Sequence, residues 1–134
     1  ADAVRCRGVI LLGQSTDPYD PTVVKASMGA IFSLSLAQAN WSAFRDWKEI
    51  QNLMLVGTSD SALTDYQQVA YQRPMVLLMG SERHGLSNKM MEACNLMVRI
   101  PMEGRSDSLN LSIATSVMLY EIYNQSRFQD NVQP

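Results

Sequence analysis

Ile100-Pro-Met-Glu-Gly-Arg-Ser-Asp-Ser-Leu-Asn-Leu-Ser-Ile-Ala-Thr115 runs from a strand end through a polar, glycine-bearing loop into an amphipathic helix. The helix is expected over about Leu109 to Gln125. Ile113, Val117 and Tyr120 fall on one row of it and Leu111, Ala114, Met118 and Ile122 on another, which predicts a broad buried face. Backbone N–H groups at a helix start have no intrahelical partner. The loop therefore sets Ser108 and Asn110 at a helix mouth, where fixed donors meet a polar ligand. The same two residues also suit the fold itself, Ser108 as the helix cap and Asn110 bonding to backbone in the first turn. The two roles are compatible, because a capped helix start still presents donors.

A second stretch lies upstream: Met75-Val-Leu-Leu-Met-Gly-Ser-Glu-Arg-His-Gly-Leu-Ser87, an apolar strand that breaks into a loop with two glycines and one glutamate. Its glycines let backbone pass close to a ligand, and Glu82 can accept hydrogen bonds from backbone or from a ligand hydroxyl. The loop lacks the Gly-Lys-Ser/Thr ending of a phosphate-binding loop and the spacing of a dinucleotide fingerprint, which excludes those two sites. Read alone, it is equally a tight strand-to-helix turn with an exposed acid.

Working outward, Gly8 to Leu12 is a continuous apolar run ending at Gly13, as in a strand buried on both faces. Turn chemistry follows over Gln14 to Asp20, and Asp20-Pro21 is an N-cap with proline at the first helical position, predicting a helix to about Ala30. Phe32 to Leu36 alternates apolar with serine and reads as a second strand. Asn40 then caps a helix carrying Trp41, Phe44, Trp47 and Ile50. Leu53 to Val56 is a third strand, and 57–61 a turn cluster at its carboxyl end. The polar stretch from Ala62 to Arg73 reads as loop. Strand Met75 to Met79, a helix from a Ser87 cap to about Cys94, and strand Leu96 to Ile100 complete the chain. Apolar strands alternating with helices indicate an α/β fold with a parallel sheet, whose ligand loops follow the carboxyl ends of strands. Thr58, Gly80 and Pro101 all stand in that position.

Composition narrows the function classes. The chain has 134 residues, enough for one packed domain, with 46% hydrophobic and 18% charged residues. A charge of -2 and a pI near 5.3 give no global basic field for nucleic acid, so RNA contact would rest on local patches. Arg83, His84, Lys89, Arg99 and Arg105 are candidates for such a patch, although each is equally an ordinary solvated charge. Two cysteines, Cys6 and Cys94, are too few for a disulfide scaffold or a zinc site and point to a reduced cytoplasmic setting. No apolar run reaches the ~18 residues of a membrane span, and no metal site is expected. Among the methionines, Met75, Met79, Met90, Met91, Met97 and Met102 fall on apolar positions and are expected in the core.

The two opening stretches, in this order, resemble motifs three and two of the SpoU branch of the SPOUT RNA methyltransferases. Asp20-Pro-Thr-Val-Val-Lys-Ala-Ser-Met-Gly-Ala-Ile-Phe32 is similar to a further stretch of that family, and the likeness covers nearly the whole chain. The resemblance implies a SPOUT fold with a deep C-terminal trefoil knot, and methyl transfer from S-adenosylmethionine to a ribose 2′-hydroxyl of tRNA or rRNA. It implies cofactor contacts near Thr58, Gly80, Ile100 and Leu109, a catalytic pocket shaped by Glu82, Ser108 and Asn110, and a homodimer. The family's first motif carries an asparagine and a catalytic arginine just before a helix leading to a Gly-Val-Ile-Leu strand. Here Ala1-Asp-Ala-Val-Arg-Cys-Arg precedes that strand, and Arg5 and Arg7 are out of register for the role. The expectation is one SpoU-type domain over 1–134 without its first strand and first motif. The alternative is a non-catalytic RNA- or protein-binding domain that keeps the fold.

Overall fold

The computed structural model describes residues 1–15 and 17–130. Thr16, within the expected turn Gln14 to Asp20, lies outside the described residues. The chain divides into two compact units, Ala1–Asn52 and Leu53–Pro134.

In the first unit, β1 (Gly8–Leu12) pairs in parallel with β2 (Ser35–Ala39), Gly8 opposite Ser35 and Leu12 opposite Ala39. The connection carries α1 (Pro21–Ala26), begun as its sequence dictates: the Asp20 carboxylate accepts from the Thr22 N–H, and Pro21 occupies a position where no backbone donor is needed. Two expectations are corrected. α1 stops at Ala26 rather than Ala30, because Met28 turns to a φ of 52° and ends the helical path. Phe32 to Leu36 is not the second strand. Ala30–Phe32 is a 3-10 turn with Phe32 78% exposed, and pairing with the five residues of β1 moves the strand to Ser35–Ala39. Period-two alternation marks a strand but not which of its residues find a partner. α2 (Trp41–Ile50) starts at Asn40, whose Oδ1 accepts from the Ala43 N–H at 2.8 Å. Trp41 and Trp47 flank Phe44 at ring distances of 5.6 and 6.1 Å. Phe44 is buried, while Ile50 is 80% exposed.

Among the described residues of the second unit, four strands form a parallel sheet in the order β4-β6-β3-β5. They are β3 (Met54–Thr58), β4 (Thr64–Asp65), β5 (Met75–Leu78) and β6 (Leu96–Arg99). β3 extends two residues beyond the expected Val56, and β4 with a 3-10 turn over Tyr66–Gln68 arises inside the stretch expected to be loop. The short edge strand is held by tertiary pairing, Asp65 opposite Arg99, whose guanidinium Nε meets the Asp65 carboxylate at 2.6 Å. α3 (Asn88–Ala93) is capped by Ser87, which accepts from the Met90 N–H at 3.3 Å. α4 is Leu111–Asp130.

Val56 and Val98 from adjacent strands, Tyr71, and Met118 and Ile122 of α4 make the buried core, with Met54, Met75 and Leu77 packed against it. Of the two apolar rows expected on α4, that of Met118 and Ile122 is buried, but Ile113 and Tyr120 are 54% and 51% exposed. The helix packs on one side, so an apolar pattern wider than the contact leaves its flank open. The methionines divide similarly: Met118 is fully buried, whereas Met102, expected in the core, is 37% exposed on the loop before α4.

α4 is also tied down by polar bonds. The Gln125 side chain donates to the Val69 carbonyl and accepts from the Tyr71 N–H, while the Tyr71 hydroxyl donates to the Tyr66 carbonyl at 2.6 Å. Burial first, then the charges of Glu121 and Tyr66, push the Tyr71 pKa from 10.0 up to about 12. Because the folded value exceeds the unfolded one, the stability held by the neutral phenol is complete below the unfolded pKa and disappears as pH rises through the folded one. Urea unfolding of the wild type should lose on the order of 2 kcal/mol over that window beyond any loss in Tyr71→Phe. Parallel pH profiles for the two proteins would remove this role.

Candidate functional site

β6, β3 and β5 are adjacent and parallel, so their carboxyl ends share one sheet edge. Thr58 closes β3, Gly80 follows β5, and Ile100 follows β6. Thr58 Oγ1 lies 3.5 Å from Met79 Sδ, which links the ends of β3 and β5. Ligands of parallel sheets collect outside such an edge because backbone groups and loop side chains converge there.

From Gly80 the chain makes a closed loop. Ser81 and Gly85 exchange backbone hydrogen bonds of 3.3 and 2.9 Å, and Ser81 Oγ accepts from the His84 N–H. Gly85 takes a φ of 62°, which glycine adopts freely. Gly80 is required for a different reason: a Cβ there would stand 2.2 Å from the Gly85 carbonyl carbon and 2.5 Å from the Leu86 nitrogen. The loop doubles back onto Gly80 at backbone contact distance.

This folding of the loop carries Glu82 to the start of α4. Glu82 Oε1 accepts from Asn110 Nδ2 at 3.2 Å and from the Leu111 N–H at 3.4 Å, so a carboxylate sits at the positive end of a long helix. Asn110 Oδ1 in turn accepts from the Ser112 N–H at 2.9 Å and the Ser112 hydroxyl at 2.6 Å, and the Asn110 carbonyl receives the first intrahelical bond, from Ala114. Asn110 is therefore the cap of α4. This corrects two expectations, that Ser108 is the cap and that the helix begins at Leu109. Asn110 bonds to both backbone and side chain two residues on, and the turn this creates leaves Ser108 exposed and Leu109 half-buried before the helix.

Of the residues singled out in the sequence, Glu82 and Asn110 thus meet directly. Thr58, Gly80 and Ile100 share the strand edge, and Ser108 and Leu109 lie on the loop that leads into α4. Ser81 and Ser112 were missed. A serine two residues after a cap asparagine is a local signal that finds Ser112, whereas Ser81 has none beyond lying in the loop. In the candidate basic patch, Arg83, His84, Lys89 and Arg105 are exposed, but Arg99 is engaged by Asp65. Among the described residues, no group of three or more His, Cys, Asp or Glu side chains is placed to hold a metal ion.

The family model described as the SpoU rRNA Methylase family matches residues 1–120. The chain belongs to that family. A Streptomyces viridochromogenes protein named 23S rRNA (uridine(2479)-2′-O)-methyltransferase is 36% identical over 93% of this chain and 46% of its own length. A putative TrmH family tRNA/rRNA methyltransferase of Bacillus subtilis, YacO, is 33% identical over 93% of this chain and 51% of its own. The crystal structure of an AdoMet-bound rRNA methyltransferase from Sinorhizobium meliloti superposes with a TM-score of 0.89 at 40% identity, over 92% of this chain and 48% of that one. The chain therefore spans about half the length of the curated relatives it matches.

Proposed function

We propose that this chain supplies the cofactor-binding and substrate-positioning part of an enzyme that methylates a ribose 2′-hydroxyl of tRNA or rRNA from S-adenosylmethionine. One observation carries the reading: the Glu82–Asn110 bond joins the loop after β5 to the start of α4, beside the strand edge of Thr58, Gly80 and Ile100. Family membership and relatives named as RNA 2′-O-methyltransferases and as AdoMet-bound supply the chemistry.

The fit to the cofactor rests on the donor set. Close backbone approach at Gly80, the Glu82 carboxylate and the capped helix start suit a ligand with hydroxyl, amino and carboxylate groups. In this reading Thr58, Gly80, Ile100 and Leu109 hold the adenosyl and methionyl parts, whose sulfonium provides an already activated methyl group. The protein's own task is alignment and proton removal. Glu82, with one oxygen engaged by α4, has the other available to a hydroxyl. Ser108 and Asn110 border the approach of the ribose oxygen.

The same family membership supports three further parts of the proposal: a C-terminal trefoil knot, a single SpoU-type domain over 1–134, and a homodimer acting in the cytoplasm. A family match that runs through both compact units without a break supports the domain reading. An experimental chain trace whose ends pull free, independent melting of the two units, or cell fractions lacking the protein in cytosol would overturn these in turn. The functional proposal itself is tested by titrating S-adenosylmethionine into the chain calorimetrically, with sedimentation of the same sample. One saturable site per chain and a dimer boundary are expected. No heat up to about 1 mM cofactor, the upper end of the usual KM range of enzymes, would sink it.

A further inference from the structure

The amide of Asn110 is held in one orientation by its neighbours. Its oxygen lies 2.9 Å from the Ser112 N–H and 2.6 Å from the Ser112 hydroxyl, and its nitrogen lies 3.2 Å from the Glu82 carboxylate. Turning the amide over would aim its N–H groups at the Ser112 N–H and press its oxygen against a carboxylate, two repulsive contacts in place of three bonds. With the orientation set, one Nδ2 hydrogen goes to Glu82 and the other remains. Asn110 therefore offers a ligand a donor.

We propose that Ser112 is a positioning residue, whose hydroxyl fixes the Asn110 amide so that its remaining N–H is presented to an oxygen of the bound ligand. The backbone N–H of Ser112 alone would cap the helix through any rotamer that keeps Oδ1 near it; the hydroxyl, bonding the same oxygen from a second direction, fixes the amide plane. Asn110 then acts by donating a hydrogen bond to an oxygen, the ribose oxygen or a cofactor carboxylate, and takes no proton. The identity of that oxygen rests on the proposed methyl transfer; the fixing of the amide does not.

Two readouts keep those claims apart. The first is the 15N order parameter of the Asn110 side-chain amide in the 134-residue chain: rigid in wild type, below about 0.6 in Ser112→Ala, and restored in Ser112→Thr. An amide equally rigid in Ser112→Ala overturns the proposal whether or not the protein transfers methyl groups. The second is methyl transfer to RNA. Ser112→Ala should lower kcat roughly tenfold with little change in KM or Tm, and Ser112→Thr should recover it. If kcat falls only in step with Tm, or Ser112→Thr fails to rescue it while keeping the amide rigid, Ser112 supports the fold and does not position Asn110 for the reaction. A wild-type protein inert towards every RNA would refute the methyl-transfer reading and leave the order-parameter result standing.

Discussion

Gly80→Ala is expected to abolish measurable S-adenosylmethionine binding while leaving a folded protein. The added Cβ would meet backbone, the carbonyl carbon and Cα of Gly85 and the nitrogen of Leu86, at 2.2 to 2.6 Å. No rotamer change relieves a clash with main chain, so the Ser81–Gly85 closure must open and Glu82 must leave Asn110. Overpacking of this kind costs about 1–3 kcal/mol of stability. The cofactor loses more, because the loop, the helix cap and the strand edge no longer meet, and its affinity should fall by at least about 100-fold. Gly104 serves as the control: a Cβ there meets nothing within 4 Å, so Gly104→Ala should bind and melt as wild type does. Calorimetry and thermal melts measure both variants. Wild-type affinity in Gly80→Ala would remove this loop from the cofactor site.

Asn110→Ala should slow methyl transfer far more than it weakens the fold. Removal of the cap costs about 1 kcal/mol, and the Glu82 carboxylate keeps the Leu111 N–H as a partner. Loss of a donor aimed at a reacting oxygen should lower kcat by about 100-fold. Asn110→Ser separates the two effects. Serine caps a helix about as well as asparagine, so this variant should regain stability and stay slow. Recovery of turnover with stability in Asn110→Ser would show that the residue acts through the helix alone.

Asp20, Asn40 and Ser87 each cap the helix expected of them, because a cap needs only a side-chain oxygen and a backbone N–H two or three residues on. The apolar runs at Gly8–Leu12 and Met75–Leu78 are strands, the second one residue shorter than expected, but Gly8–Leu12 is not buried on both faces: Gly8 is exposed and the other four residues are half-buried. The second strand was misplaced because its limits are decided by a partner more than twenty residues away. Thr64–Asp65 was missed because so short and polar an edge strand exists only by pairing with β6. In the site, Ser108 was preferred to Asn110 as the cap since both are good cap residues at suitable distance, and only the bonds to Glu82 and Ser112 distinguish them.

The order of apolar and polar residues, with the cap and turn residues between them, determined by itself that this is a parallel α/β protein and that its candidate site residues fall in the loops after β5 and β6. Those features depend on neighbours a few positions apart. Only the tertiary structure decided that Glu82 reaches Asn110 across 28 residues, that Gly80 is closed over by its own loop, and that Ile113 and Tyr120 on one apolar row of α4 stay exposed. Such contacts follow from the strand order β4-β6-β3-β5, which brings together residues distant in the chain and which no local pattern of side chains encodes.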